Sequence, residues 1–227
     1  MLYTEQNARD NVRNRDGKRV FYLGKGDQLS SGARDFLARE RIEILPAEQA
    51  RQEQYRLLGG GFATEKPEHM THLDAQVLVS KTHPRIGFRG MVDLLEAEIL
   101  LCQKQIPSLC GELGEILALA RQLIRCDVLN EPVECSRLCG LTEQQLRSHS
   151  HRPQEYYGQA HFMPEHWDSE AILRLNRVRC LARLAERWAV EAFSDRDGNL
   201  TRADIVQAMN RMSSMLYILM IKMKKGE

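Results

Sequence analysis

The chain has 227 residues, with 32 Lys plus Arg against 31 Asp plus Glu and a formal net charge of +1. That balance provides no global field to draw the protein onto nucleic acid or an anionic membrane, so any anion site must be local. No apolar stretch reaches the roughly 18 residues that span a bilayer, and the opening MLYTEQNARDNVRNRDGKRV is too polar for a secretory signal, so a cytoplasmic location is expected. Six cysteines, at 102, 110, 126, 135, 139 and 180, are scattered through mostly apolar helical patterns. In a reducing compartment most of them read as thiols filling the core.

In chain order, residues 1–65 read as a small α/β unit with its linker. A β-type run, Val20-Phe21-Tyr22-Leu23, leads to a turn at Gly24-Lys25-Gly26-Asp27. No Gly-Lys-Ser/Thr follows that turn, so it is not a phosphate loop. A helix over SGARDFLARER, capped by Ser30 or Ser31, then leads into a second β-type run, Arg41 to Leu45, which predicts a β-α-β arrangement. Gly59-Gly60-Gly61 followed by Glu65, Lys66 and Pro67 reads as a flexible connection.

Residues 66–227 are helical in pattern. After a loop at LVSKTHPRIG, helices are predicted near 88–104, 108–128, 142–150, 168–193 and 202–225. The fold class is therefore mainly α, with five helices forming a bundle. The last helix carries Met215 to Ile221, apolar all round, which places it at the centre of the bundle. Asn210, Arg211, Ser213 and Ser214, one turn earlier, argue against a membrane span.

Two metal-like patterns do not hold up. Cys135, Cys139, His149 and His151 follow no familiar zinc spacing. SDRDGNLTRAD has its glycine and its twelfth residue wrong for a calcium loop and reads as a helix-to-helix turn.

The helix DSEAILRLNRVRCLARLAERWAVEAF carries the most information. Turned at about 100° per residue, it shows one core stripe of Leu173, Val178, Leu181, Leu184, Ala185, Trp188 and Ala192. Ile172, Leu175, Val190 and Phe193 mark a second stripe, with Arg179, Arg183 and Glu186 in its middle. Two arginines at i and i+4 repel one another and need an anionic partner. Glu186 with another carboxylate would neutralise them in an interhelical ion-pair network; a polyphosphate held by guanidinium forks would serve equally well.

The order of three motifs resembles the cobalamin adenosyltransferases of five-helix-bundle type, and their ethanolamine-utilisation branch in particular. RVRCLARLAER is similar to that family's arginine helix, which implies that Arg179, Arg183 and Glu186 serve ATP. In KTHPRIGFRGMVDLLEAE, Lys81, Pro84, Arg85, Gly90 and Asp93 resemble the family's loop and first helix. The resemblance implies that Lys81 and Arg85 approach ATP and that Asp93 pairs with an arginine, Arg179, across a subunit interface. MNRMSSMLYIL is similar to the family's last helix, with Asn210 and Arg211 in matching places.

MTHLDAQVLVSK stands where the propanediol-utilisation branch has a glycine-rich phosphate loop, which makes Thr71 and His72 further candidate ATP contacts. The upstream stretch LLGGGFATEKPEHMTHL lacks the cysteines of the metal motif common in the ethanolamine branch, so no structural metal is expected. Ser214 replaces a common aspartate.

The resemblance implies transfer of the adenosyl group from ATP, with Mg2+, to cob(I)alamin, and release of triphosphate. It implies a homotrimer with the active site between subunits, a corrin cavity lined by Phe162 and Met163, and partners such as a corrinoid reductase or a cobalamin-dependent lyase. It also implies a cytoplasmic location, within or beside a bacterial microcompartment. The rival is a non-catalytic helical adaptor that binds nucleotide or corrinoid and docks partners through its N-terminal unit.

Overall fold

The computed structural model describes residues 1–15, 17–49, 55–63 and 65–226. They form two compact units, Met1–Lys66 and Pro67–Glu227, and helix predominates, with short strands.

The first unit contains β1 (Leu2–Tyr3), α1 (Glu5–Asp10), β2 (Arg13–Arg15), β3 (Lys18–Leu23), β4 (Gln28–Leu29), α2 (Ser31–Arg39), β5 (Glu43–Pro46), β6 (Tyr55–Leu57) and β7 (Phe62–Ala63). Strands β3 and β5 pair in parallel, with Val20 opposite Glu43, and α2 lies between them in sequence. Ser30 caps α2, its hydroxyl accepting the Ala33 N–H at 3.2 Å. Phe21, Phe36, Leu37 and Ala8 close a small core. The Gly24–Asp27 segment is a turn, with the Asp27 N–H donating to Gly24 O at 3.0 Å.

The glycine run does not serve as a free linker. Gly60 and Gly61 take φ values of 99° and 84° to turn the antiparallel β6–β7 hairpin, a backbone region open chiefly to residues without a Cβ. Thr64, in the same connection, lies outside the described residues.

The second unit contains β8 (Met70–His72), β9 (Val77–Ser80), α3 (Pro84–Gln105), α4 (Cys110–Leu129), β10 (Arg137–Leu138), β11 (Leu141–Thr142), α5 (Glu143–His151), α6 (Pro153–Tyr157), α7 (Glu170–Phe193) and α8 (Ala203–Lys225). Strands β8 and β9 form a hairpin, its turn held by Asp74, which accepts the Gln76 and Val77 N–H groups at 2.9 Å. Helix α3 begins one turn earlier than the apolar pattern predicts. His83 caps it, Nδ1 accepting the Arg85 N–H at 3.2 Å, and Pro84 sits at the first helical position, where its missing N–H costs nothing. A Thr142–Gln145 capping box starts α5.

Helix α3 packs against α4 and α7, α7 against α8, and α8 against α5. Helix α8 buries Met209, Met212, Leu216, Leu219 and Met220 completely, and its central place matches the apolar run Met215 to Ile221. Gly87 brings α3 very close to α7: a Cβ there would stand 2.5 Å from Trp188 Cζ3. The turn from α7 to α8 is organised by Asp195, whose Oδ1 accepts the Asp197 and Asn199 N–H groups at 2.9 and 2.8 Å.

Two expectations need correction. Of the six cysteines only Cys102 and Cys126 are buried; Cys110 and Cys180 are exposed, while Cys135 and Cys139 are half-buried beside the β10–β11 hairpin. In α7 the buried arc runs Ile172, Leu175, Val178, Ala182, Ala185, Ala189 and Phe193. Leu173 and Leu184 are instead 37% and 38% exposed. The small Ala182, Ala185 and Ala189 let α3 and α8 approach closely, and Leu173 and Leu184 are left outside that arc.

Candidate active site

Ser169 starts α7, its Oγ accepting the Ile172 N–H at 3.4 Å. The helix then carries arginines in two distinct situations. Arg174 pairs with Glu170 at 2.6 Å and Arg177 with Glu98 at 2.8 Å, both on the outer surface. The Glu98 carboxyl is held below its ordinary range by that Arg177 hydrogen bond. Arg179 and Arg183, at the edge of the buried arc, have no carboxylate within pairing distance among the described residues.

Arg179 donates from Nε and Nη2 to Asn176 Oδ1 at 3.2 and 3.0 Å, and its guanidinium carbon lies 5.6 Å from the centre of the Tyr217 ring. Glu186 does not neutralise either arginine. It accepts a 2.9 Å hydrogen bond from Asn210 Nδ2, and Asn210 Oδ1 in turn accepts from Arg211 Nη2 at 2.7 Å. The interhelical ion-pair network therefore does not form. The two guanidinium groups keep unspent donors, facing a cleft.

That cleft, about 300 Å³, is lined by Arg179 and Arg183 from α7, Asn210, Ser213, Ser214 and Tyr217 from α8, and Ser150, His151 and His161 from α5 and the segment after α6. No carboxylate is among the described residues that line it, so its electrostatics favour an anion. Its hydroxyls and amide add neutral donors. Arg183 also borders a groove on the outer side of α7, with Cys180, Leu184, Glu186 and Arg187.

The remaining predicted residues are spread more widely. Arg211 faces away from the cleft into a second pocket with Val133, Leu138 and Asp204, and its buried Nε finds no partner there among the described residues. It reaches the cleft only through Asn210. Lys81 is exposed and pairs with Glu68 at 3.1 Å. Thr71 pairs with Val79 in the β8–β9 hairpin, and His72 O accepts a long 3.5 Å bond from Arg89.

Arg85 is committed elsewhere: its Nε and Nη2 donate at 2.8 Å to the Asp127 carboxylate and carbonyl. Arg89 closes on the other Asp127 oxygen at 2.6 Å, and Asp127 is fully buried. Asp93 is exposed on α3. Phe162 packs partly into the core, whereas Met163 is 84% exposed.

Sequence reasoning missed His151, His161 and Tyr217 at the cleft. Tyr217 sat inside an apolar run that reads as core. A signal was available, since a tyrosine one helical repeat beyond Asn210 shares its face.

The local chemistry thus offers cationic donors and neutral hydroxyls around one cleft on a helical scaffold. A family model described as cobalamin adenosyltransferase matches residues 62–223. The chain is 34% identical over 158 residues to the corrinoid adenosyltransferase EutT of Escherichia coli (strain K12), a span covering 69% of this chain and 59% of that protein. It is equally similar, over the same shares, to the corrinoid adenosyltransferase EutT of Salmonella typhimurium (strain LT2). The chain therefore spans about three-fifths of the length of these curated relatives. With its helical unit matched almost end to end, and its arginine helix inside the matched span, the chain belongs to the cobalamin adenosyltransferase family.

Proposed function

We propose that the chain transfers the 5′-deoxyadenosyl group of ATP to a reduced corrinoid, giving adenosylcobalamin and triphosphate. The observation that carries this reading is the pair Arg179 and Arg183: two arginines four residues apart that, among the described residues, have no carboxylate partner and border a cleft lined by no carboxylate. Such a site holds three linked phosphates and neutralises the charge that develops as they leave. The nucleophile is the cobalt of the substrate. The protein's task is therefore to align, stabilise charge and exclude water, with little acid-base work.

In this reading Arg179, Arg183 and Asn210 bind the phosphates, Glu186 fixes the Asn210 amide, and Ser213 and Ser214 add hydroxyl contacts. Arg211 acts through Asn210. Arg85 is left out because its donors are spent on Asp127. Lys81 reaches ATP by exchanging its exposed pairing with Glu68 for a phosphate, an inexpensive exchange. Mg2+ fits as an ion carried by the phosphates and water, since few chain oxygens are at hand.

Phe162 and the exposed Met163 offer an apolar edge for the corrin. The helical unit takes the five-helix-bundle architecture of the family, and the first unit its small β-α-β appendage. We further propose a homotrimer in which Asp93 meets Arg179 of a neighbouring copy. Exposed Leu94, Leu101, Leu173 and Leu184 on α3 and α7 supply apolar surface for that contact. The product would supply cobalamin-dependent ethanolamine or diol breakdown, beside a corrinoid reductase and a lyase, in the cytoplasm or a microcompartment.

The test is to mix the purified protein with ATP, magnesium and chemically reduced cobalamin and to follow the cobalt(I) absorption. Conversion to a photolabile alkylcobalamin with one triphosphate per turnover is expected. Binding of both substrates with no conversion would instead identify a non-catalytic adaptor.

A further inference from the structure

The segment between α6 and α7 contributes His161 to the wall of the arginine cleft, and one side chain holds it there. The Tyr217 oxygen accepts the Phe162 N–H at 3.2 Å, and its hydroxyl proton has two acceptors within reach, His161 Nδ1 at 3.1 Å and Phe162 O at 3.3 Å. His161 Nε2 faces the carbonyl of His151 at 3.1 Å. A carbonyl can only accept, so Nε2 carries the proton, and in the neutral ring Nδ1 is left to accept the Tyr217 hydroxyl.

The rings are stacked as well. His161 lies 5.7 Å from Tyr217 at an interplanar angle of 13°, and Phe162 lies 6.2 Å away at 25°. Tyr217 also meets the Arg179 guanidinium, 5.6 Å from the ring centre. Further along the segment, Asp168 pairs with Lys224, whose ammonium lies 5.5 Å from the Phe162 ring centre.

We propose that Tyr217 and His161 form a clasp that sets the 160–163 segment in register with the phosphate-binding arginines, Tyr217 being the piece shared by the two halves of the cleft. Neither residue is assigned to chemistry; both are positioning residues. The clasp rests on the function proposed above, in which Phe162 borders the corrin and Arg179 the triphosphate. In that setting the separation of cobalt from the ribose 5′ carbon depends on how the segment is held relative to α7. A tyrosine hydroxyl with three neighbours on one strand of chain fixes that separation better than stacking alone.

The test uses the full-length protein with Tyr217→Phe, which keeps both ring contacts and removes only the hydroxyl, together with His161→Ala and the double variant. Tyr217→Phe is expected to lower kcat/KM for the corrinoid about tenfold, to change KM for ATP less than about twofold, and to leave the melting temperature near wild type. The double variant should be no worse than the poorer single variant, because both remove one clasp. Hydrogen exchange at the Phe162 amide should accelerate in both single variants.

Equal losses toward ATP and corrinoid, or losses that multiply in the double variant, would overturn the clasp. So would unchanged Phe162 exchange. Should Tyr217→Phe fail to fold, His161→Ala carries the same two readouts. Should the wild type adenosylate no corrinoid, the proposed function fails, and the exchange readout alone then decides the clasp.

Discussion

The molecule uses the same sequence device twice, a pair of arginines four residues apart, to opposite ends. Arg85 and Arg89 on α3 close on the two oxygens of Asp127, a carboxylate with no exposed surface, and on the backbone of residues 72, 73 and 127. Arg179 and Arg183 on α7 meet no carboxylate among the described residues and face open space. The first pair is satisfied within the chain and fastens the start of α3 to the end of α4. The second is left to be satisfied from outside. Arg174 and Arg177, each with its own glutamate, show that arginines on this helix can be neutralised from within the chain. The difference between a structural and a ligand-seeking cation thus lies in what stands opposite it, since the spacing along the helix is identical.

The largest expected effect comes from opening the closed pair. Asp127→Asn would strand two largely buried guanidinium groups and is expected to destabilise the fold by about 3–5 kcal/mol, read as a fall in the urea midpoint. An unchanged midpoint would mean that this cluster contributes little to holding α3 on α4. Arg183→Ala should leave the midpoint in place and lower adenosyl-transfer turnover by roughly 10²–10³, the scale for losing one preorganised charge stabiliser. A loss under about threefold would remove Arg183 from the phosphate site.

Asp93→Asn tests whether Arg179 has a carboxylate partner from another copy. Weaker assembly in sedimentation, or a turnover loss of about tenfold, is expected; unchanged sedimentation and kinetics would dispose of the pairing.

The smallest effect concerns the histidine that starts α3. Burial, and then the positive charges of Arg85 and Arg89, hold the His83 imidazole below its ordinary value, against the opposing pull of Asp127. Its Nδ1 accepts the capping bond, so the cap requires the neutral ring. A group depressed in the folded state contributes its full stability above its unfolded pKa, and that contribution is lost as pH falls through the lower folded value. About 1 kcal/mol should therefore disappear on acidification below the ordinary histidine range. His83→Asn, which caps without titrating, should flatten that part of the stability-against-pH curve; the same slope in both proteins would assign it to other groups.

Much of the helical organisation could be read from apolar periodicity, and α8 in particular, because an all-round apolar run has few places to go. The cationic edge of α7 was legible too, since clustered arginines demand an explanation wherever they fall. The stripe containing Leu173 and Leu184 was not. With apolar residues on several sides of a helix, periodicity alone does not say which arc is covered, and the alanines that decide it carry little hydrophobic signal. The role of Arg85 was hidden for another reason: its partner lies 42 residues away. The only local trace was Asp127 amid the apolar run LIRCDVL, an acid that could be tolerated there only if paired. The Tyr217 clasp was invisible because it joins residues 55 positions apart through a segment with no periodic pattern.

The contact between Gly87 and Trp188 sets a limit on how this protein can be re-engineered. The indole occupies the volume that any side chain at 87 would need, so the two helices are a matched mould and cast. A chimera that borrows α3 from one relative and α7 from another would inherit a mismatched spacing unless both positions travel together. The arginines would then be carried on a displaced rod even though every residue around the cleft was preserved. Transplanting the two helices as one piece is the exchange that keeps the cleft's dimensions.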